Sequence, residues 1–572
     1  MLFLKHGFDK PLKEACVKEF YVLPFARREE EGTEAEKAVL DEPAFLVQAS
    51  SEVRIRLDEE NGIAELEFED GDAEDCIREW KGVPRCDIQG NGMKLDFPDG
   101  DVLEETAYQF YWRTLLPCVA EKNAAADYPV GDGYVVSTLQ REVYAGTYPD
   151  VDHEFQIKGR IAAGDRFDQG LVKRMLNLQL KLMREDPEGL YRDPCALQPG
   201  GVREYHVRRS SMDGETNAVM FLVTGNIEVI ESAWLYVAAS GDFEWLKENR
   251  EGLENALSLV IDCMDRYGRL WSDVYYEDQI IKDGRECMSA AMAARAMRLM
   301  AQLEELCGEE EKKKDYFELE KKLAGAMTAS LPFGFWDTDK KRFADWVDRG
   351  SVCHDHIHLL ANELPVLFDY ATEEQSENVG KLLEEEWEEF QRFPTFLSAR
   401  IADYTDSELG LPYDLCAAGR YWCWDFAYWL KQGRREVLKN QLLAVCAQAE
   451  TDNYFMGERY DMNYVYYQSD INWHGAARYY EYPCVFLWNL IQGYLGVGVS
   501  LKADLRIAPM LTEPGKVRLD SFGVEYEKGD GFLRVKNLGN AGRSFLLCLD
   551  GEEKQVEING QEEYLWQKQT DK

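Results

Sequence analysis

The sequence predicts a multi-domain fold in which an array of helical hairpins lies between two β-rich regions. Two observations carry that expectation. Apolar residues recur with period two as far as about residue 160, with a helical period from there to about 500, and with period two again to the end. At 572 residues and 65.9 kDa the chain is also too long for one ordinary hydrophobic core.

Residues 1–160 read as an N-terminal β-sandwich. "SEVRIRLDEENGIAELEFEDGD" alternates apolar and polar residues on both sides of Asn61-Gly62, a dipeptide suited to a tight hairpin because both residues tolerate positive φ. "GMKLDFPDGDVL" and "HEFQIKGRIAAGD" continue the alternation. From Phe167 the period lengthens, first in "FDQGLVKRMLNLQLKLMRED". The next stretch puts Leu246, Leu253, Leu257, Val260 and Met264 on one helical face. Asp283 and Glu286 have capping-box spacing before a helix carrying Met288, Met292, Leu299 and Leu303. Further helices are expected over roughly 311–328, 354–371, 373–391, 418–449 and 482–494. Consecutive helical pairs with long loops between them fit a helical repeat or a closed toroid of hairpins, and no fixed sequence period favours the repeat. After about residue 500, "KVRLDSFGVEYEKGDGFLRVKNLG" and "SFLLCLDGEEKQVEING" alternate again around Gly-Asp and Asp-Gly turns.

Composition narrows the partners. The chain has 65 Lys+Arg against 106 Asp+Glu, a formal net charge of −41. A field of that sign repels phosphate backbones and anionic lipid, so neither nucleic acid nor membrane is expected as a partner. The N-terminal "MLFLKHGFDKPLKEAC" lacks a signal-peptide core, and no apolar run has the length of a membrane span. The 14 Cys show no CxxC spacing, which fits buried thiols in a reducing cytoplasm. A cytoplasmic protein is expected, with no cofactor, and a homo-oligomer is left open.

The inter-helix loops carry the chemistry. They read "HVRRSSMDGETN", "LWSDVYYEDQ", "FADWVDRG", "PYDLCAAGRYWCWDF", "MGERYDMN" and "DINWHGAARYYEYP". Each contains a carboxylate, and all but the first set Trp or Tyr beside it. Aromatic faces stack on the C–H faces of sugar rings while carboxylates accept from hydroxyls, so a carbohydrate substrate is expected.

With these loops and its flanking β-regions, the chain resembles the six-hairpin, (α/α)6-barrel glycosidases, which include trehalase, glucoamylase, the amylo-1,6-glucosidase of debranching enzyme and α-L-rhamnosidases. The resemblance covers about 165–500 by pattern and singles out no one member. It implies a central (α/α)6 toroid over 161–500, an N-terminal β-sandwich over 1–160 and a small C-terminal β-domain over 501–572. It also implies an O-glycosyl hydrolase, of a group whose members mostly invert.

Members carry their general acid after the third helix, in a sequence like Leu-Trp-x-Glu/Asp. Leu270-Trp271-Ser272-Asp273 resembles it and makes Asp273 the candidate acid, with Glu277 and Asp278 close behind as alternatives. The base of trehalase-like members lies in Glu-x-Tyr-Asp/Asn, which "GERYDMN" matches with Glu458, Tyr460 and Asp461. An arginine and an aspartate of the first loop hold sugar in these enzymes; Arg208, Arg209 and Asp213 stand there, without the usual adjacent Arg-Asp pair. Trp271, Tyr275, Trp346, Asp348, His354, Trp424, Tyr460, Trp473 and His474 complete the candidate sugar contacts. The acid must keep its proton near neutral pH, for which Trp271 and Tyr275 offer an apolar wall to Asp273. In an inverting enzyme the carboxyls stand about 6.5–9.5 Å apart, leaving room for the attacking water.

Blander readings apply to each candidate: the acids of 273–278 cap a helix or face water, Glu458 is an ordinary loop glutamate, and Arg209 with Asp213 is a salt-bridged loop. "HDHIH" sets His354, His356 and His358 together; on a helix the three cannot close on one metal, and no HExxH supports one, so no metal is expected. Trp422 and Trp424 alternate, one toward the core and one toward the cleft. Rival functions are a glycoside phosphorylase on the same architecture, a sugar epimerase using histidines, and a non-catalytic carbohydrate-binding protein.

Overall fold

The computed structural model describes residues 92–115, 153–164, 166–194, 223–271, 284–391, 417–460 and 479–568, with short stretches elsewhere that before residue 92 are strands alone. Those early strands form two antiparallel sheets. One runs in the order Ala15–Val17, Val53–Asp58, Ile63–Phe68, Leu2–Lys5, Arg27–Arg28, the other Phe20–Pro24, Ala44–Gln48, Ile77–Glu79. The expected hairpin is present: Val53–Asp58 pairs with Ile63–Phe68, Asp58 opposite Ile63.

Two segments expected to be further strands of this region are not. In "GMKLDFPDGDVL", Met93–Asp96 is a strand, but it pairs with Gly515–Leu519 of the C-terminal sheet. "HEFQIKGRIAAGD" is a helix, His153–Ala163, and all eleven residues are buried, Glu154, Lys158 and Arg160 included. A helix enclosed on every side has no polar stripe, so its sequence lost the 3.6 period that identifies amphipathic helices and kept an accidental period of two.

The helices, in chain order, are α1 (Gly100–Phe110), α2 (His153–Ala163), α3 (Arg166–Arg184), α4 (Val223–Ser240), α5 (Phe243–Asp262), α6 (Cys287–Cys307), α7 (Glu310–Thr328), α8 (Leu359–Leu367), α9 (Glu373–Glu385), α10 (Trp422–Lys431), α11 (Arg435–Thr451) and α12 (Glu481–Leu487), the last prolonged by a π-helical stretch over Trp488–Tyr494. Local chemistry sets several ends. Asp242 caps α5 by accepting from the Trp245 amide at 3.0 Å, and also accepts from Lys173 and Tyr236, tying α3 and α4 to the same point. Thr372 and Gln375 form a reciprocal capping box on α9.

The even-numbered helices touch in a closed order: α2 with α4, α4 with α6, α6 with α8, α8 with α10, α10 with the prolongation of α12, and α12 with α2 again. The odd-numbered helices lie against them, α3 on α2 and α4, α5 on α4 and α6, α7 on α6, α9 on α8, α11 on α10, and α1 on α11 and α12. Gly159 lets α2 and α12 meet, because a Cβ there would stand 2.6 Å from the Cys484 Cα. Buried ion pairing secures the start of the cycle: Arg160 bonds Asp168 at 2.7 Å and the Leu115 carbonyl at 2.8 Å, and Tyr111 donates to Asp168.

The alternating runs after residue 500 are strands as expected. A five-stranded antiparallel sheet has the order Glu563–Gln567, Phe532–Asn537, Val524–Gly529, Gly515–Leu519, Met93–Asp96, beside a four-stranded sheet that includes Arg543–Leu549 and Glu552–Ile558. The first sheet docks on the end of the α12 prolongation, where Tyr526 donates to the Leu495 carbonyl at 2.7 Å. Among the described residues no helix is long and apolar enough to cross a membrane.

Candidate active site at the helix starts

The carboxylate-aromatic loops singled out in the sequence all lead into the N-termini of even-numbered helices: 206–217 into α4, 270–279 into α6, 343–350 into α8, 412–421 into α10, 456–463 and 470–480 into α12. Short strand pairings join neighbours. Arg285–Glu286 pairs with Trp346–Val347, which pairs with Cys353–His354, linking the approaches to α6 and α8. Ala417–Ala418 pairs with Arg459–Tyr460, linking those to α10 and α12.

On the α6–α8 side the loops are locked by buried charge. The Lys282 ammonium is fully enclosed and bonds Glu286 at 2.9 Å and Asp345 at 2.8 Å. The other oxygen of Asp345 meets His356 Nδ1 at 3.1 Å, and Ser289 donates to Glu286. Burial alone would push the Asp345 carboxyl up, but Lys282, His358 and His356 outweigh it and hold that carboxyl well below the usual range. Gly284, at φ +118°, permits the close approach, since a Cβ there would lie 2.4 Å from the Val347 carbonyl oxygen. Three sequence candidates come together nearby: the His354 ring stacks on Trp346 with centroids 3.7 Å apart and planes 7° from parallel, and its Nε2 is 3.4 Å from Asp348.

Helical geometry does not apply to "HDHIH". His354 ends a strand, and His358 caps α8 by accepting from the Ala361 amide at 3.1 Å, so the three residues do not lie on one helix. Among the described residues no group of three or more His, Cys, Asp or Glu side chains is placed to hold a metal ion. Glu286 also does not act as the third residue of a capping box: it immediately precedes α6, and its carboxylate serves Lys282 and Ser289.

On the α10–α12 side, Glu458 is buried, at 2% exposure, immediately before the strand that pairs with Ala417–Ala418. Arg420, just before α10, bonds Glu481 at the start of α12 through both its amide and its guanidinium, each at 3.3 Å. Tyr460 follows Glu458 on the paired strand.

Two tryptophan candidates have other neighbours. Trp271 donates to Asp265 at 3.2 Å and lies between the guanidiniums of Arg269 and Arg285, each 5.5 Å from its ring. Trp422 donates to Gln441 of α11 and so faces outward, whereas Trp424 points across the cycle. The Lys158 ammonium stands 4.2 Å over the Trp424 ring, with Phe368 and Arg295 also against it. Lys158 pairs with Glu154 and, at 3.7 Å, with Glu231, which Arg295 bonds at 3.1 Å. Burial raises Glu231, but Arg295 and Lys158 hold it below its ordinary value. Side chains of α2, α4, α6 and α10 therefore meet here rather than leaving an open bore.

Arg209, Asp213, Asp273, Tyr275, Glu277, Asp278, Trp473 and His474 lie outside the described residues, as does the side chain of Tyr460. The reading from sequence missed Lys282, Asp345, Arg420 and Glu481 as members of this region. All four stood near or inside quoted aromatic loops, but charge next to aromatics was taken as the signal, and buried charge partnered by charge gives none.

Several solved structures are similar to this one in fold. The α-L-rhamnosidase from Dictyoglumus thermophilum aligns over 99% of this chain and 60% of its own, at 12% identity and a TM-score of 0.55. The native α-L-rhamnosidase from Aspergillus terreus gives the same 99%, 60%, 12% and 0.55. The GH78 family rhamnosidase of Bacillus sp. GL1 aligns over 93% of this chain and 49% of its own, at 13% identity and 0.52. The structural neighbours are six-hairpin glycosidases. The chain spans about half to three-fifths of their length, and the likeness is one of fold. No protein-family model and no curated protein matches the sequence. By the order of contacts, the loops entering α6 and α12 precede the third and sixth helices of the cycle.

Proposed function

We propose that the protein is an inverting glycoside hydrolase, built as an (α/α)6 toroid with flanking β-regions and acting on a short oligosaccharide or small glycoside, with α-L-rhamnosides first among the substrates to try. The observation that carries this reading is Glu458, a buried carboxylate in the stretch before the sixth helix of the cycle; the sequence before the third helix supplies Asp273, Glu277 and Asp278 as its proposed partners. An inverting pair would hold its two carboxyls roughly 6.5–9.5 Å apart across the mouth of the ring.

In the proposed mechanism one carboxylic acid of 273–278 protonates the glycosidic oxygen, and Glu458 takes a proton from the water attacking the opposite face of the ring. The meeting of Lys158, Glu231, Arg295 and Trp424 across the cycle favours a closed pocket that accepts a chain end over an open channel. The neighbours' rhamnosidase activity suggests the sugar class. The cytoplasmic location expected from the sequence favours a small substrate over a polymer.

A panel of nitrophenyl glycosides, followed by NMR of the anomer first released, tests the reading. Glu458→Gln should lower kcat on the best substrate by about a thousandfold or more with the thermal midpoint unchanged. Undiminished turnover in that variant, or release with retained configuration, would overturn it.

A further inference from the structure

A ladder of arginines and aromatic rings crosses the turns that follow α5 and α7. Tyr267 and Phe333 are its exposed rings, at 46% and 39%, and they meet edge to face with centroids 5.7 Å apart. The Arg266 guanidinium lies 4.6 Å over Tyr267, and Arg269 lies 5.4 Å from Tyr267 and 5.1 Å from Phe333. Arg285 continues the series behind them, 5.4 Å from Phe335, and bonds the Pro332 carbonyl. Among the described residues the carboxylate bonded to the ladder is Asp265, which accepts from Arg269 at 2.6 Å. Arg266 is exposed, and its hydrogen bond goes to the Tyr267 hydroxyl.

A structural role explains part of this. Arg269, Arg285, Trp271 and Phe335 clamp the two turns together and are half-buried or buried. Arg266 and the open faces of Tyr267 and Phe333 contribute little to that clamp. They form a cationic, aromatic patch on a chain of formal net charge −41. Flat rings suit the C–H faces of sugars, and guanidinium forks suit carboxylates. A polyanion such as nucleic acid would meet the repulsion of the whole molecule, whereas a short sugar chain with a few carboxylates meets little of it.

We propose that Arg266, Tyr267, Arg269 and Phe333 form a docking site for a carboxylate-bearing oligosaccharide, one that contains uronic acid. Its occupancy is read by binding and needs no turnover, so its failure and that of the hydrolase reading are distinguishable. The test is calorimetric titration of the full chain with trigalacturonate, with neutral maltotriose as the comparison. Wild type and Glu458→Gln should bind trigalacturonate alike, more weakly as salt rises. The Tyr267→Ala/Phe333→Ala and Arg266→Ala variants, whose changes are at the surface and whose fold circular dichroism will verify, should each bind about tenfold or more weakly. No binding by wild type at millimolar ligand, equal affinity in these variants, or equal affinity for maltotriose would each overturn the proposal.

Discussion

The carboxyl of Glu363 on α8 is set against that of Asp425 on α10, and both are wholly buried. Asp425 also accepts from Gln441 at 2.6 Å, Trp429 at 2.8 Å and Gln391 at 3.2 Å, so its oxygens are served and the remaining proton belongs on Glu363. Burial, then the charge of Asp425, raises Glu363 well above its ordinary value. Burial pushes Asp425 up to about 6 against the hydrogen bonds it accepts.

Stability should therefore fall on the alkaline side through this pair. The unfolded glutamate ionises near 4.5 and the folded one far higher, so the native state binds the extra proton between those values. The contribution is complete below the unfolded value and is lost as pH rises toward the folded one, by about 1.4 kcal/mol per pH unit. Glu363→Gln keeps the shape of the side chain and cannot ionise. Denaturant unfolding should show it gaining on wild type steadily from pH 5 to pH 8. The difference isolates Glu363, because Glu304 and Asp193, both raised to about 7 chiefly by burial, titrate in both proteins. Parallel curves would remove the shared-proton account.

The Lys158 ammonium answers both Glu154 and Glu231 where the even-numbered helices meet. Lys158→Met would strand buried carboxylate charge, at a cost of about 3–5 kcal/mol. Adding Glu154→Gln should recover part of that loss in urea unfolding, since one stranded charge is gone. Equal losses in the single and double variants would mean that Lys158 acts by packing on Trp424 instead.

These two clusters mark where the sequence stopped being legible. Amphipathic helices such as α5, with Leu253, Leu257 and Val260 buried, could be read because one face meets water. The hairpin strands after residue 515 could be read for the same reason, their burial alternating residue by residue. α2 could not, because its charges are paired inside the cycle and leave no polar face. The partner of Met93–Asp96 was equally hidden, since alternation identifies a strand but not which of two sheets it joins. At the candidate site the loops stood out by composition and Glu458 by its resemblance to the base motif of trehalase-like enzymes, and Trp346, Asp348 and His354 do converge. Lys282 and Asp345, 63 positions apart, needed the fold to bring them together.

Gly159 predicts how tightly the cycle closes. Its missing Cβ leaves room for backbone atoms of Cys484, which cannot swing aside as a side-chain tip could. Gly159→Ala should destabilise by about 1–3 kcal/mol through overpacking, despite alanine's better helix propensity. Gly170→Ala on α3 is the control, because nothing lies within 4 Å of a Cβ there. That change should stabilise by about 0.5–1 kcal/mol. If both variants shift the same way, the α2–α12 contact has slack.

The Lys282 set allows stability and function to be separated. Lys282→Met leaves Glu286 and Asp345 as buried charges without their ammonium, and should cost about 3–5 kcal/mol in denaturant unfolding. The triple change Lys282→Met/Glu286→Gln/Asp345→Asn removes all three charges together and should restore most of that stability, since a neutral buried set avoids the desolvation penalty. Turnover should not return with it. Asp345 holds His356 through a charge-assisted bond, and Lys282 joins the approach to α6 to the approach to α8. A neutral set packs without fixing those loops relative to each other, so kcat on the best nitrophenyl glycoside should stay at least about tenfold low while the unfolding midpoint recovers. Recovery of both together would reduce the set to a stability device and leave the geometry of the helix starts to the strand pairing of Glu286 with Trp346 alone.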